Sequence, residues 1–231
     1  MRGVTDVHHV VNLGDRPRLL DLFSGAGGCA VGYHRAGFDV VGVDIRPQPR
    51  YPFPFVQADA LEYCREHGAE FDVIHASPPC QAYSAANNIR GRTDHPDLID
   101  ATREALQATG REWVIENVER SPLRNAIVVC GLALGLNVRR HRLFESSIML
   151  FGTGCGDHRA DYVIVFGGSA RGRAKVSGRS KGGGPVLRRP TIPAARARAA
   201  MGIDWMTRDE LSQAIPPPYT EWIGRQIMDV L

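Results

Sequence analysis

The sequence predicts an α/β fold with a mostly parallel, Rossmann-like sheet and a small basic region inserted late in the chain. Three observations support this prediction. Strand-like apolar runs alternate with helical patterns from residue 18 to about residue 136, a glycine-rich turn follows the first strand, and two further strands end in an acidic residue. A strand–helix–strand rhythm of this kind requires parallel strands joined by crossover helices.

The elements follow in order along the chain. We expect strands at residues 18–23, 40–44, 55–59, 71–76, 113–116 and 126–130, and helices at residues 29–36, 61–67, 97–109, 194–201 and 221–230. The alternation stops between residues 146 and 190, in a stretch rich in glycine. We therefore divide the chain into a main α/β domain (1–145), a short insert (146–188) and a C-terminal segment that returns to the first domain (189–231).

Composition limits the functional classes. A chain of 231 residues with 43% hydrophobic content can bury one main core. The five cysteines form no C-x-x-C pair and no His/Cys cluster of metal spacing, so we expect neither a disulfide framework nor a metal site. No apolar run approaches the length of a membrane span, and we expect a soluble, intracellular protein without membrane contact.

The glycine-rich turn after the first strand is a candidate ligand-binding site, because glycines let the backbone approach a ligand closely. The spacing Gly25-x-Gly27-Gly28 matches neither the dinucleotide pattern nor a phosphate loop, so a nucleoside without phosphates fits best. Asp44 is placed to accept hydrogen bonds from ribose and Asp59 from an adenine amino group. The alternative is that both acids are helix caps or loop residues.

Cys80 stands in a stiff Pro-Pro-Cys turn directly after the strand that ends near residue 76. The carboxyl ends of parallel strands are where open α/β sheets bind their ligands, so this position suits a nucleophile. A lone cysteine is more often a small buried hydrophobic residue. The surrounding motifs therefore have to decide between the two interpretations.

Four segments taken together resemble the ordered motifs of DNA (cytosine-5) methyltransferases, in a compact form of the phage or bacterial type. They are Asp21-Leu22-Phe23-Ser24-Gly25-Ala26-Gly27-Gly28, Ser77-Pro78-Pro79-Cys80-Gln81, Glu116-Asn117-Val118 and Arg140-His141-Arg142. The resemblance implies the class I S-adenosylmethionine-dependent methyltransferase fold, S-adenosylmethionine as methyl donor and a cytosine flipped out of double-stranded DNA as acceptor. It also implies the cytoplasm of a bacterial or phage-infected cell, and we expect a monomer.

The same resemblance assigns roles to the site residues. The Cys80 thiolate adds to carbon 6 of cytosine, which makes carbon 5 nucleophilic. Glu116 binds ring nitrogen 3 and the exocyclic amine, Asn117 orders the loop, and Arg140 and Arg142 approach carbonyl oxygen 2 and phosphate. The residues expected to contact the donor are Phe23 against the adenine face, Ser24, Gly25, Gly27, Gly28, Asp44, Ile45, Asp59, Ala60, Pro79 and Gln213.

Two departures from the family pattern lie in the second half of the chain. Val138 stands where the family usually has glutamine. Ser212 and Gln213 replace the first two residues of the family's final Gly-Asn-Ala-Val-Pro-Pro segment, and Gln213 is our candidate for the place of the missing asparagine. That segment normally lines the donor pocket, so the replacements bear on donor affinity or donor type, with neutral drift as the simpler explanation.

Two segments are expected to contact nucleic acid. The loop at residues 82–97 follows the nucleophile where the family closes a mobile loop over the flipped base. No acidic residue lies between Asp161 and Asp204, a stretch that begins in the insert and extends beyond it. Composition fits a phosphate-contacting loop and a flexible linker equally. Candidate contacts are Gln81, Ser84, Arg90, Arg92, Arg171, Arg173, Lys175, Arg179 and Lys181. Because the insert is short, we predict a short or relaxed target sequence.

Two other functions remain open on the sequence. One is an RNA (tRNA) cytosine-5 methyltransferase of the same architecture. The other is a non-catalytic DNA-binding relative, although such a protein would normally have lost the nucleophile or the acid, and this chain keeps both Cys80 and Glu116.

Overall fold

The structure is a computed structural model that describes residues 16–80, 83, 97–155, 158, 162–166, 169–171, 175–179, 185–188 and 192–231. Of residues 166–188, only the backbone of the strands is described. None of the helices in these ranges is long and apolar enough to cross a lipid bilayer.

A seven-stranded sheet forms the centre of the molecule. Its strands lie in the order β3-β2-β1-β4-β5-β7-β6, and only the pairings made by β7 are antiparallel. The predicted mostly parallel sheet is therefore confirmed. The strands are β1 (Arg18–Leu22), β2 (Asp39–Asp44), β3 (Phe55–Gln57), β4 (Val73–Ala76), β5 (Glu112–Asn117), β6 (Ile127–Cys130) and β7 (His141–Ser146).

Helices cover both faces of the sheet, and two small hairpins follow it in the chain. The helices are α1 (Gly28–Ala36), α2 (Ala60–His67), α3 (Ile99–Ala108), α4 (Ala194–Met201), α5 (Arg208–Gln213) and α6 (Pro217–Met228), with a 3-10 turn at Gly68–Glu70. Strand β8 (Ile164–Phe166) pairs with β9 (Ser169–Arg171), and β10 (Lys175–Arg179) pairs with β11 (Pro185–Arg188), both antiparallel.

Alternation along β1 builds two apolar layers. Successive side chains of a strand point to opposite faces of the sheet. Leu19 accordingly packs with Tyr33 of α1 and Tyr219 of α6, whereas Leu20 packs with Leu106 of α3 on the other face. These layers fix the positions of the strand ends, where the site lies.

A third apolar cluster joins the inserted region to the C-terminal segment. Val163 and Val165 pack against Met201 and Leu211. Val138, which replaces the glutamine usual in the family, is fully buried in this cluster and forms an isolated bridge with Val163. The replacement therefore serves as an apolar anchor between β7 and the strand that follows.

The observed elements differ from the sequence prediction at several points, and strand β7, which carries Arg142, was not predicted. Helix α6 begins at Pro217 rather than residue 221, because prolines are well suited to a first helical turn, where no backbone donor is needed. Strand β3 ends at Gln57 instead of residue 59, since Asp59 caps α2. Helix α5 was not predicted, and its start is fixed by a capping box between Thr207 and Glu210.

Candidate active site

Three neighbouring strands, β4, β5 and β7, bring Cys80, Glu116 and Arg142 to one region. Glu116 and Asn117 end β5, Arg142 lies in β7 beside it, and the Pro-Pro-Cys turn follows β4. Because β4 and β5 are parallel neighbours, their carboxyl ends meet at one edge of the sheet. Strand β1, which leads into the glycine turn, is the other neighbour of β4.

Glu116 is a buried carboxylic acid that faces an arginine. Its side chain is almost fully buried, and Oε1 lies 2.9 Å from Nε of Arg142. The two groups form an ion pair without hydrogen-bond alignment, so Oε1 is left without a hydrogen-bond partner among the described residues. Burial raises the pKa of Glu116, while Arg142, Arg140 and a hydrogen bond from Ser77 oppose that rise. The net rise makes Glu116 easier to protonate than an ordinary glutamate, and in its protonated form it can donate a hydrogen bond.

Asn117 ties the acid to the nucleophile turn. Its Nδ2 donates to the carbonyl oxygen of Pro78 at 3.0 Å, and its Oδ1 accepts from the amide of Val118 at 2.8 Å. The side chain is buried, so both hydrogen bonds are shielded from water. These bonds connect the end of β5 to the Pro-Pro-Cys turn, which is consistent with the ordering role that the family resemblance implies for Asn117.

Cys80 is half-buried, and its charge state depends on its neighbours. Burial is the main cause that raises the pKa of its thiol, and the nearby carboxylate of Glu116 raises it further. Arg142 and Arg140 act in the opposite direction. The thiol is consequently the resting form, and its deprotonation is a separate step that precedes any nucleophilic attack.

Arg140 and Arg142 have different surroundings. Arg140 is buried, and its terminal nitrogens donate to the carbonyl oxygens of Val165 at 2.8 Å and Ser212 at 3.1 Å. Burial lowers the pKa of this guanidinium to about 9. Arg140 thus joins β8 to the end of α5, and only its Nε lacks a partner among the described residues. Arg142 pairs with Glu116 and donates to the carbonyl oxygen of His141 at 2.7 Å. The expected approach of both arginines to carbonyl oxygen 2 and phosphate stays a prediction.

The glycine turn has the backbone geometry of a ligand cradle. Gly25 and Gly27 have positive φ values of 49° and 84°, and Phe23 shares this left-handed conformation with φ 57°. A non-glycine residue in that region is strained, and such strain concentrates at binding sites. Among the residues that the structure describes, nothing lies within 4 Å of the position a Cβ would take on Gly25, so this side of the turn is open toward them. The hydroxyl of Ser24 is buried without a partner in the described residues.

The other side of the turn is packed by the C-terminal segment. A Cβ on Gly28 would lie 2.3 Å from the carbonyl oxygen of Ile215. The indole Nε1 of Trp205 donates to the carbonyl oxygen of Ala26 at 2.8 Å. Trp205 was missed by the sequence analysis, because a partner 179 residues away leaves no local pattern.

Asp44, which ends β2, and Asp59, which precedes α2, both bind backbone amides. Asp44 accepts from Gly25 at 3.0 Å and from Arg46 at 2.9 Å. Asp59 caps α2, where Oδ1 accepts from Leu61 and Glu62. The capping alternative therefore holds for Asp59, while Asp44 fastens the glycine turn to β2. Their expected contacts to ribose and adenine stay predictions.

The remaining donor-site candidates lie at the same edge. Ile45 follows Asp44 and has 65% of its surface exposed. Pro79 is half-buried beside Cys80, and Ala60 is buried in the first turn of α2. Gln213 is exposed at the end of α5, two residues before Ile215.

The expected nucleic-acid contacts fall mostly outside the described residues. This applies to Gln81, Ser84, Arg90, Arg92, Arg173 and Lys181. Arg171, Lys175 and Arg179 lie on strands β9 and β10, of which only the backbone is described. Their roles stay predictions.

A buried polar network lies beneath the site. Nε2 of His75 is 2.8 Å from Oγ of Ser77, and its Nδ1 is 3.0 Å from the hydroxyl of Tyr33. Burial lowers the pKa of His75 to about 3, so the ring is neutral. Ser77 also bonds to Glu116. The motif Ser-Pro-Pro-Cys contains this serine, but sequence gave no reason to assign it a function.

Comparisons with known proteins agree with this geometry. A family model described as C-5 cytosine-specific DNA methylase matches residues 18–121. The Type II methyltransferase M.HgiGI of Herpetosiphon aurantiacus is 30% identical over 120 residues, which cover 46% of this chain and 94% of that protein. M.AquIA of Picosynechococcus sp. is 30% identical over 120 residues, covering 44% and 48% of the two chains.

The solved structures show the fold. The S. pombe Dnmt2 methyltransferase superposes with a TM-score of 0.60 at 13% identity and covers 93% of this chain and 99% of its own. In sequence, the chain spans half or less of the first curated relatives that it matches, with 48%, 24% and 36% of their lengths aligned. The matched motifs, in this order and on this sheet, show that the chain belongs to the C-5 cytosine-specific DNA methylase family.

Proposed function

We propose that the chain transfers a methyl group from S-adenosylmethionine to carbon 5 of a cytosine in DNA, through a covalent adduct with Cys80. The observation that carries the proposal is the buried Glu116, paired with Arg142 and tied by Asn117 to the turn that presents Cys80. A thiol, an acid and an arginine around one open edge are the groups that activate a pyrimidine ring.

The residues divide the chemistry among them. The Cys80 thiolate forms a bond to carbon 6, and electron density moves to carbon 5 and the ring. Protonated Glu116 donates to ring nitrogen 3, and its unpartnered Oε1 can accept from the exocyclic amine. Arg142 supplies donors for carbonyl oxygen 2. After transfer, a base removes the proton from carbon 5, and Cys80 leaves by elimination.

The glycine turn fits the methyl donor. The open side of Gly25, the unpartnered hydroxyl of Ser24 and the exposed Ile45 offer backbone approach, a polar contact and an apolar surface for a nucleoside. When bound, S-adenosylmethionine supplies an electrophilic methyl group on a sulfonium ion. Phe23, Gly27, Gly28, Asp44 and Asp59 complete the proposed contacts with this cofactor.

Double-stranded DNA is the proposed partner, with the target cytosine flipped into the site. The basic residues of the insert support this proposal, because they neutralise phosphates without reading bases. Two short hairpins offer few rigid side chains for a long target. We therefore propose a short or relaxed recognition sequence, a monomeric enzyme and a cytoplasmic location. Bisulfite sequencing of DNA from expressing cells tests the target, and methylation confined to six or more defined bases contradicts it.

A trapping experiment tests the mechanism. The protein is incubated with S-adenosylmethionine and duplex oligonucleotides carrying 5-fluorocytosine, which lacks the proton that elimination requires. We expect a covalent complex that survives denaturation for the wild type and for Cys64→Ala, a control cysteine in α2, and none for Cys80→Ala. Absence of an adduct, or full methyl transfer by Cys80→Ala, refutes the mechanism.

The same material tests the acceptor and the product. Matched duplex DNA and structured RNA are offered with tritiated donor, and the modified nucleosides are identified by mass spectrometry. We expect 5-methyl-2′-deoxycytidine from DNA. A preference for RNA, or binding of DNA without transfer to either acceptor, contradicts the proposed function.

A further inference from the structure

Four metal-binding side chains converge outside the proposed active site. They are Cys130, His141, Cys155 and His158, and their ligand atoms all lie within 4.8 Å of one another. The sequence predicts no metal site, because these residues are spread over 29 positions and contain no C-x-x-C pair. The structure differs from that prediction in bringing them together. The one local signal is Cys155-x-x-His158, which is too common to identify a site alone.

The distances within this Cys/His cluster fit tetrahedral coordination. Sγ of Cys130 lies 3.6 Å from Nε2 of His158, and Sγ of Cys155 lies 3.5 Å from Nε2 of His141. A tetrahedral zinc ion with bonds of about 2.3 Å to sulfur and about 2.05 Å to nitrogen separates the two atoms by about 3.6 Å. The side chains therefore need no large rearrangement to bind one ion.

A carboxylate outside the cluster orients one of its histidines. Nδ1 of His141 lies 3.0 Å from Oε1 of Glu119. When Nδ1 carries the proton and donates to this carboxylate, Nε2 has a free lone pair directed at the two sulfurs and the second histidine. Carboxylate–histidine pairs of this kind accompany protein metal sites because they fix the tautomer and increase the basicity of the ligand.

The backbone holds three segments together at this point. Cys130 ends β6 and His141 begins β7, and the two residues are direct partners in the antiparallel register. The amide of Cys130 donates to Oγ1 of Thr153 at 3.0 Å, and the amide of Thr153 donates to the carbonyl oxygen of Val128 at 3.2 Å. These bonds keep Cys155 beside the strand pair, so the ligands are positioned before any ion binds.

We propose that Cys130, His141, Cys155 and His158 bind one Zn²⁺ in a closed structural site. Two thiolates balance the charge of the ion, and two thiolates with two imidazoles form the ligand set that Zn²⁺ takes in tetrahedral structural sites. Binding releases the two thiol protons to solvent. All four positions are filled by protein, so no position is left for water or substrate.

The site has a positional consequence for the active site. His141 stands between Arg140 and Arg142, and alternation along β7 sends its side chain to the opposite face from that of Arg142. The zinc ion would fix the first residue of the strand that carries Arg142. It would also fasten residues 155 and 158, which lead into β8, to that strand. The metal-site proposal itself does not depend on the proposed methyl transfer.

Metal analysis of the purified protein tests the proposal. The wild type is purified under reducing conditions without chelator, loaded with Zn²⁺, desalted and measured by native mass spectrometry and by elemental analysis. We expect one zinc per chain, with none retained by Cys155→Ser or His158→Ala. The controls Cys64→Ala and His67→Ala, both in α2, should retain it. Glu119→Gln should bind zinc about 10–100-fold more weakly.

Cobalt substitution tests the geometry on the unaltered protein, which avoids any folding defect of the variants. We expect one Co²⁺ per chain, with the intense visible bands of tetrahedral coordination and the near-ultraviolet charge-transfer band of thiolate ligands. Failure of the folded wild type to bind either metal, a weak octahedral spectrum, or a Cys130–Cys155 disulfide in the reduced preparation would overturn the proposal.

Discussion

Asp21 lies in the centre of the sheet as a carboxylic acid without adequate partners. It is fully buried in β1, Oδ1 has no hydrogen-bond partner in the described residues, and Tyr51 donates to Oδ2 at 3.4 Å. Burial is the main cause that raises the pKa of Asp21 to about 8, and the nearby Asp44 adds to the rise. We predict that Asp21→Asn, which keeps the shape and removes the charge, changes how stability depends on pH.

The sign follows from proton linkage. The folded protein holds the proton on Asp21 up to about pH 8, whereas the unfolded chain loses it near pH 3.9. Stability from this group therefore falls as pH rises through that window. His75 has the opposite effect at lower pH. Its pKa in the folded protein is lowered to about 3, so its contribution to stability rises with pH until the pKa of histidine in the unfolded chain, near 6.5. Between pH 6.5 and 8, the effect of Asp21 is no longer opposed by His75.

The magnitude is set by the width of that interval. One pH unit corresponds to about 1.4 kcal/mol for a group ionised in only one state, so the free energy of unfolding should lose about 2 kcal/mol between pH 6.5 and 8 through Asp21. Urea unfolding followed by circular dichroism measures the quantity at each pH. Between pH 6.5 and 8, the free energy of unfolding of Asp21→Asn should rise by that amount relative to that of the wild type.

A control separates burial from the loss of any carboxylate. Asp39→Asn removes an exposed acid from β2, the neighbouring strand. If the stability curves of Asp21→Asn and wild type run parallel from pH 6.5 to 8, or if Asp39→Asn shows the same divergence, the linkage argument fails.

Two further variants probe the site and the packing behind it. Arg142→Gln removes a charge that lowers the pKa of Cys80. Because one pKa unit is a tenfold change in thiolate, alkylation of Cys80 by iodoacetamide at pH 8 should slow by roughly threefold to tenfold. With Arg139→Gln as the control, an unchanged or faster rate contradicts the electrostatic effect of Arg142 on Cys80. Gly32→Ala places a Cβ 2.0 Å from Oγ1 of Thr220. The free energy of unfolding should therefore fall by about 3 kcal/mol and the melting temperature by roughly 6–12 °C. A melting temperature within 2 °C of wild type, about the effect of 1 kcal/mol or less, contradicts the close packing of α1 and α6.

Most of the site could be predicted from sequence because parallel strands carry their carboxyl ends to one edge. The motifs around Cys80 and Glu116 each follow a strand with a clear apolar pattern, so their meeting follows from the fold class. The family resemblance supplied the roles of these residues, and the family match supports it.

What escaped prediction depends on partners distant in sequence. Arg140 donates to carbonyl oxygens 25 and 72 residues away, and neither acceptor has a side-chain signature. The role of Asp59 as a helix cap is local, but the same residue type also suits a ligand contact, so sequence left both open. The Cys/His cluster needs the register of β6 and β7, which pairs Cys130 with His141.

The attachment of α6 to α1 has a consequence for biosynthesis. Oγ1 of Thr220 donates to the carbonyl oxygen of Cys29, a contact that spans 191 residues, and the same segment supports the glycine turn through Ile215. At about 5–20 residues per second of translation, the nascent turn waits roughly 10–40 s for the residues that support it. During that interval the side of α1 that packs against α6 is uncovered, so the packing around the glycine turn is completed only after α6 has been synthesised.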